Sequence, residues 1–457
     1  MKTIAIIGGG ISGISIGLEL CKENFNVLIF EKQNSLGGLS SSLKINNFSL
    51  DFGPHIVSMK NNSTIYNKIK ELMKENIIKL TNLQKVSIIF YQNKIWDTFP
   101  NLSTIIPTTK KSFLVKEFKG LISKKKVNQK TSKDYLIETF GKIAYDEWFK
   151  PFLFNRFTNR NPPLKMIKML YPSKNFKTIL KNKVKTSNNK IEIEEDSHFY
   201  FKHGMISLIQ KIENEIENHG GIIKTNCEIK SIEHDVIKEI NYIQNDEIKK
   251  INVDAIVYTI PIPLCMKWFT YENKDIENKK SKNLHCIMIF VMINSIQNKE
   301  FWTVNVFDTK KIFYRISQPN FLSKYVAPSN KSVLCIEIRC SEEDIIWNQT
   351  NEKIFSQVKR DLETMKIFNL DEIETYKLLR IKNIYPLEGY EEDHQDLKDF
   401  INSHKNEYAI GSVEGDTGRL TDIAQNKENI VSGGISMAFQ NAEEIIKKIK
   451  HEFSEDA

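Results

Sequence analysis

Lys2-Thr3-Ile4-Ala5-Ile6-Ile7-Gly8-Gly9-Gly10-Ile11-Ser12-Gly13 opens the chain, and its meaning depends on what stands on either side of the glycines. Residues 2–7 are a short apolar run of the kind that forms a buried strand, and the residues from Ile11 onward have helical spacing. The pattern is therefore GxGxxG between a strand and a helix. Gly8 permits the tight turn, Gly10 admits close approach of a pyrophosphate, and Gly13 lets helix and strand pack. The N–H groups at the helix start, from Ile11, Ser12 and Gly13, then face the phosphates. A second apolar run, residues 26–30, ends in Glu31, 18 positions after Gly13. A carboxylate there accepts hydrogen bonds from both hydroxyls of an adenosine ribose and disfavours a 2′-phosphate.

The continuation is Leu36-Gly37-Gly38-Leu39-Ser40-Ser41-Ser42, and then Leu50-Asp51-Phe52-Gly53-Pro54-His55. Together with the first motif these residues resemble the amino-terminal signature of the flavin amine oxidase superfamily, which includes protoporphyrinogen oxidases, carotene desaturases and UDP-galactopyranose mutases. The resemblance implies FAD as cofactor, with Gly38 and Leu39 forming a second backbone stretch against it. It also implies an α/β fold: a Rossmann-like FAD-binding domain of the GR2 type, and a discontinuous α+β substrate domain built on an antiparallel sheet.

Composition agrees with that fold. The chain has 457 residues, too many for one compact core, with 40% hydrophobic and 27% charged residues. Its net charge of +8 comes from lysine spread along the chain, without the basic and aromatic motif of a nucleic-acid module. Six cysteines are scattered with no CxxC and no metal-ligand spacing, which predicts reduced thiols, no metal site and a cytoplasmic protein. The first strand begins too early for a signal peptide, and the longest apolar run, residues 286–293, is far short of the ~20 residues of a membrane span. No integral membrane segment and no nucleic-acid partner are expected, and the oligomeric state is left open.

Organisation follows the alternation of scaffold and insertion. Residues 1–60, 196–267 and 408–457 are assigned to the FAD domain, and residues 61–195 and 268–407 to the substrate domain. Residues 88–96 read as a hairpin turning at Gln92-Asn93-Lys94, residues 135–154 as helix, and residues 222–232 as one alternating strand. In the superfamily that strand passes the adenine, so the resemblance makes Ile229 a contact. Residues 286–293, 301–307, 312–316 and 333–340 have strand character and suggest a single antiparallel sheet. A final scaffold strand, residues 408–412, brings Gly411 and Ser412 toward the cofactor.

Later segments resemble mutase-like and protoporphyrinogen-oxidase-like bacterial flavoproteins in order and spacing: Phe140-Gly141, Trp148-Phe149-Lys150-Pro151-Phe152, Phe313-Tyr314-Arg315-Ile316 and Ile384-Tyr385-Pro386-Leu387. The resemblance lays the His55 loop against the isoalloxazine. Arg315 becomes a candidate for gripping an anionic substrate, since a guanidinium holds a carboxylate or pyrophosphate with two parallel bonds; its other reading is a salt bridge at the domain seam. Tyr385 is a candidate for holding substrate through ring and hydroxyl, and Arg156, Trp96 and Arg419 are weaker candidates. The expected activity is flavin-dependent hydride abstraction from a small or anionic substrate such as a carboxylate. The alternative is a flavin-dependent isomerase acting on a nucleotide sugar, as in the mutases, against which stands Ser412 where those enzymes have arginine.

Overall fold

The computed structural model describes residues 1–59, 63–80, 87–96, 131–158, 160–170, 197–269, 283–297, 301–387, 390–410 and 434–455. The first unit is β1 (Thr3–Ile7), α1 (Ile11–Lys22) and β2 (Asn26–Phe30), followed by the hairpin of β3 (Ser42–Ile45) and β4 (Phe48–Asp51). Next come β5 (Val57–Met59), α2 (Thr64–Met73), β6 (Ile77–Lys79) and the hairpin of β7 (Ser87–Tyr91) and β8 (Lys94–Trp96). Helices α3 (Ser132–Phe140), α4 (Lys150–Phe157) and α5 (Leu164–Leu170) precede β9 (Ser197–Phe201) and α6 (Ile206–Asn218). Strands β10 (Ile222–Lys224), β11 (Cys227–Glu233), β12 (Lys238–Gln244), β13 (Glu247–Val253) and β14 (Ala255–Tyr258) follow. The remainder is β15 (Asn283–Ile293), β16 (Thr303–Val306), β17 (Arg315–Ser317), β18 (Ser332–Cys340), α7 (Asn351–Met365), β19 (Ile373–Pro386), α8 (Tyr390–Asn402), β20 (Glu407–Ala409) and α9 (Gly434–Glu455).

The short apolar runs pair into a parallel sheet of order β10-β2-β1-β14-β20. Both faces are covered, which is why these strands are nearly continuous in apolar residues. Ile4, Ile6, Val27, Ile29 and Val257 pack on one face with Ile14, Leu208, Ile212 and Ile446 of α1, α6 and α9. Ala5, Ile7, Leu28, Phe30 and Tyr258 face the other way, under an antiparallel meander of β11, β12 and β13.

The second large sheet has order β19-β15-β18-β17-β16-β7-β8. Its central strands are antiparallel as expected, but β7 joins β16 in parallel, so the sheet is mixed. The back face is apolar throughout: Ile88, Val304, Ile316, Ile336 and Ile287 pack against Ile354, Val358 and Leu362 of α7. On the front face the β3–β4 hairpin covers one end through Phe48 and Leu50 against Met288 and Phe290. Tyr135, Trp148 and Phe152 from the 132–157 region cover the other end, against Ile89 and Phe307.

Several boundaries differ from the sequence reading. Residues 222–232 are two strands, because Asn226 turns with a φ of +50° and sends β10 into the parallel sheet and β11 into the meander. The 135–154 helix is interrupted by Gly141, at φ +93°, and by a π-helical turn over Tyr145–Phe149. The hairpin turn at Gln92 and Asn93 is as expected, both residues having positive φ. All six cysteines are buried and unbridged, and burial pushes the Cys21 and Cys227 thiols up to about 11.

Candidate functional site

The glycine turn shows which of its positions serve the fold and which leave room for a ligand. Gly8 has φ +113° and donates its N–H to the carbonyl of Phe30 at 2.9 Å, joining the turn to β2. A Cβ on Gly13 would stand 1.9 Å from the Gly8 oxygen, so helix and turn approach too closely for any side chain. Gly10 differs: a Cβ there would meet no atom of the described residues within 4 Å. The N-terminus of α1 begins at Gly10, with no side-chain cap and no acidic residue in its first turn. The N–H groups of Ile11, Ser12 and Gly13 thus have no partner within the helix, whose start adjoins the open position at Gly10.

The second glycine pair docks on the first. Gly37 donates its N–H to the Gly9 carbonyl at 2.7 Å and pairs with Gly10 in an isolated parallel bridge. Gly38 then passes the Gly10 Cα at a distance that would put its own Cβ 3.4 Å away, and Leu39 projects outward, 44% exposed. Beside them Glu31 accepts the Gly9 N–H at 2.8 Å with one carboxylate oxygen and the Gln33 N–H at 2.7 Å with the other. Each oxygen retains a second lone pair, so the carboxylate is oriented and still able to accept a ribose hydroxyl. The open position at Gly10, the uncapped helix start and the oriented Glu31 fit the adenosine diphosphate half of FAD.

Ile229 lies in β11 with its side chain buried in the core beneath the meander, so any cofactor contact falls to its backbone. Gly411, Ser412 and Arg419 lie outside the described residues. Tyr385 lies in β19, in register with Leu284 of β15. Trp96 donates its indole N–H to the Tyr91 carbonyl at 3.3 Å and packs edge-on against Trp148. Arg156 stacks over Phe152 and Phe157.

His55 sits in the turn after β4. Its Nε2 is buried and has no hydrogen-bond partner among the described residues. A Cβ on Gly53 would lie 3.9 Å from Met288 Cε, which puts the 53–55 turn against the front of the seven-stranded sheet. The same face carries the cross-strand row Ile89, Asn305, Arg315, Glu337 and Met288. The row is polar at its centre, between the two apolar clusters that cover the ends of the sheet.

Arg315 is held there by Glu337, Nε to Oε1 at 2.6 Å and Nη2 to Oε2 at 2.9 Å. Tyr314 donates its hydroxyl to the same carboxylate at 2.7 Å, and Arg339 donates to the Tyr314 hydroxyl. Glu337 is fully buried. Burial by itself pushes its carboxyl up, but the adjacent Arg315, with Arg339 and Tyr314, holds it below the ordinary range. One two-pronged edge of the Arg315 guanidinium is therefore engaged by the neighbouring strand of the same sheet, not across a domain seam.

Sequence reasoning passed over two groups. Glu337 lies inside a uniformly buried strand, SVLCIEIRC, where a single acid among apolar residues was the available signal. Asp51 was quoted as part of a motif, but its carboxylate turns out to be fully buried and bound by three segments. Among the described residues no group of three or more His, Cys, Asp or Glu side chains is placed to hold a metal, and no helix is long and apolar enough to cross a membrane.

Comparison with known proteins agrees with this geometry. A curated coproporphyrinogen III oxidase from Staphylococcus aureus (strain NCTC 8325 / PS 47) is 23% identical over 409 residues, covering 81% of this chain and 85% of the relative. A 4,4′-diapophytoene desaturase from S. aureus (strain MRSA252) is 31% identical over 87 residues, 19% of this chain and 17% of the relative. Among solved structures, reduced UDP-galactopyranose mutase superposes with a TM-score of 0.78 at 15% identity, over 99% of this chain and 96% of that one. A putrescine oxidase variant superposes with a TM-score of 0.61 at 12% identity, over 98% and 99% of the two chains. Residues 11–376 match the family model of flavin containing amine oxidoreductase. That match runs from the uncapped start of α1 through the row bearing Arg315 and Glu337, and by it this chain belongs to the family of flavin-containing amine oxidoreductases, enzymes whose cofactor is FAD.

Proposed function

We propose that this FAD-dependent oxidoreductase takes a hydride from a C–H or N–H centre of a small substrate carrying an anionic group. Bound FAD supplies the electron sink for that hydride. The chain's own residues do the rest: backbone N–H groups at the start of α1 hold the pyrophosphate, and Glu31 holds the ribose. Arg315, kept in one orientation by Glu337, meets the substrate's anionic group, while His55 and Tyr385 border the reacting centre. The carrying observation is the polar row centred on Arg315 and Glu337, which lies on the sheet face that meets the 53–55 turn. Supporting it, the curated relative that aligns over most of both chains is named an oxidase.

The test is anaerobic. Purified yellow protein is mixed with carboxylated candidates, coproporphyrinogen III among them, and the flavin absorbance is followed. Bleaching by a carboxylated substrate, lost in Arg315→Ala while the flavin spectrum is retained, is the expected result. Loss of FAD in Arg315→Ala would make that residue structural.

The likeness to the mutase fold favours a second reading, a flavin-dependent sugar-nucleotide isomerase. Such an enzyme works only after dithionite reduction, binds UDP and transfers no net electrons, so the same cuvette separates the two.

A further inference from the structure

After β14 the chain leaves the parallel sheet to build β15 to β19, and it returns at β20. One imidazole touches both crossings. His234, in the turn between β11 and β12, places Nδ1 at 2.8 and 3.1 Å from the two carboxylate oxygens of Glu407, the first residue of β20. Its Nε2 lies 2.9 Å from the Trp268 carbonyl on the outgoing crossing. Glu407 is 2% exposed and also accepts the Tyr258 hydroxyl, from the end of β14, at 2.8 Å. The imidazole stacks on Phe269, with ring centroids 4.1 Å apart. The outgoing crossing is thus held at two places. At its start Thr259 donates its hydroxyl to the Gly8 carbonyl at 2.9 Å, and further on His234 holds Trp268.

A carbonyl and an ionised carboxylate can only accept, so both nitrogens of the ring face acceptors. Neutral imidazole carries a single N–H and would turn a lone pair toward one of them; only the imidazolium donates to both. Burial by itself pushes the His234 imidazole down, but the Glu407 carboxylate and the Trp268 carbonyl raise it above its ordinary value, with Lys238 of β12 opposing. The other charged or titratable groups around the ring are Tyr258, Asp235 and Lys405, which flank Glu407 and Lys238, Lys267 over Trp268, and His404, whose ring centroid is 5.7 Å away.

We propose that His234 is a pH-sensitive latch: as the imidazolium it fastens Trp268 to the meander and to β20, and as the neutral ring it keeps its proton on Nδ1, toward Glu407, and releases the Trp268 carbonyl. The Nε2 proton passes to solvent, which reaches 15% of the side chain. Since folding raises the imidazole above its unfolded value of 6.5, the latch is fully closed below pH 6.5 and opens as pH rises through the raised value. The peptide unit set free carries the Phe269 N–H as well, which is donated to the Met266 carbonyl at 3.1 Å. Opening is therefore visible as local loss of amide protection.

The experiment follows hydrogen exchange of the holoprotein by mass spectrometry, corrected for the intrinsic effect of pH, for wild type, His234→Gln and Glu407→Gln. Between about pH 6 and about pH 9 wild-type protection at residues 268–269 is expected to fall about tenfold, the size of one lost hydrogen bond, while protection of β1 holds. His234→Gln should show no step in that range. Glu407→Gln should keep a step, displaced to lower pH, because the carboxylate that raises the imidazole is gone. Flat wild-type protection, or an unchanged step in His234→Gln, overturns the proposal. A histidine that only packs would lower protection in its variant equally at every pH. Should neither variant fold, the wild-type profile decides together with the ring nitrogen shifts of His234 by NMR: two N–H groups at pH 7 are expected, and a single one overturns the latch.

Discussion

Glu31 and Glu337 show how differently two carboxylates act according to burial. Glu31 is partly exposed and oriented by two backbone N–H groups, so its value lies in the ligand it can accept. Replacing it by alanine is expected to weaken FAD binding about tenfold, or ~1.4 kcal/mol, as read by fluorescence titration of the apoprotein. Unchanged affinity would remove its assigned ribose contact. Glu337 holds Arg315 from within the sheet, and Glu337→Gln is expected to cost about 3 kcal/mol of stability at pH 7, because it leaves a buried guanidinium without its counter-ion. Since folding depresses the Glu337 carboxyl below its unfolded value of 4.5, that contribution is fully present above pH 4.5 and is lost as pH falls through the depressed value. Urea melts of wild type and variant should therefore converge toward acid; a gap that stays constant with pH counts against the ion pair.

At the scale of elements, the β1–turn–α1 unit allows its two glycine roles to be separated. Gly13→Ala drives a methyl into the Gly8 carbonyl, and is expected to destabilise the apoprotein by several kcal/mol, on the order of the larger core penalties. Gly10→Ala meets only open space among the described residues, so apoprotein melting should hold while FAD affinity falls at least tenfold. Equal melting losses in both would mean that Gly10 too is a packing glycine. This unit was legible from the chain because strand, turn and helix are adjacent and each glycine acts on neighbours nearby in sequence. Elements whose character depends on distant partners were less legible. Strand β19 has the sequence IETYKLLRIKNIYP, whose charged residues hide a strand stabilised by pairing along β15 at the sheet edge. The break between β10 and β11 follows from one residue, Asn226, and from two different sheets competing for the flanking runs.

For the whole molecule, the β3–β4 hairpin belongs by sequence to the cofactor half, yet Phe48 and Leu50 pack against Met288 and Phe290 of the other half. That shared core predicts a single cooperative thermal transition, raised as a unit by FAD at about 2.7 kcal/mol when FAD stands at 100 times its Kd. Two transitions, with FAD moving only one, would show that the halves melt independently. The pattern of apolar runs, the three-glycine turn, Glu31 and the second glycine pair determined by themselves that a dinucleotide is held on a parallel sheet, because backbone geometry and charge at those positions need only local chain. Tertiary structure alone decided that Arg315 is gripped by Glu337, that Asp51 joins four segments, and that His55 keeps a buried nitrogen unpartnered among the described residues. Each of those facts depends on residues far apart in sequence whose meeting is settled by sheet register and by which face of a strand is buried.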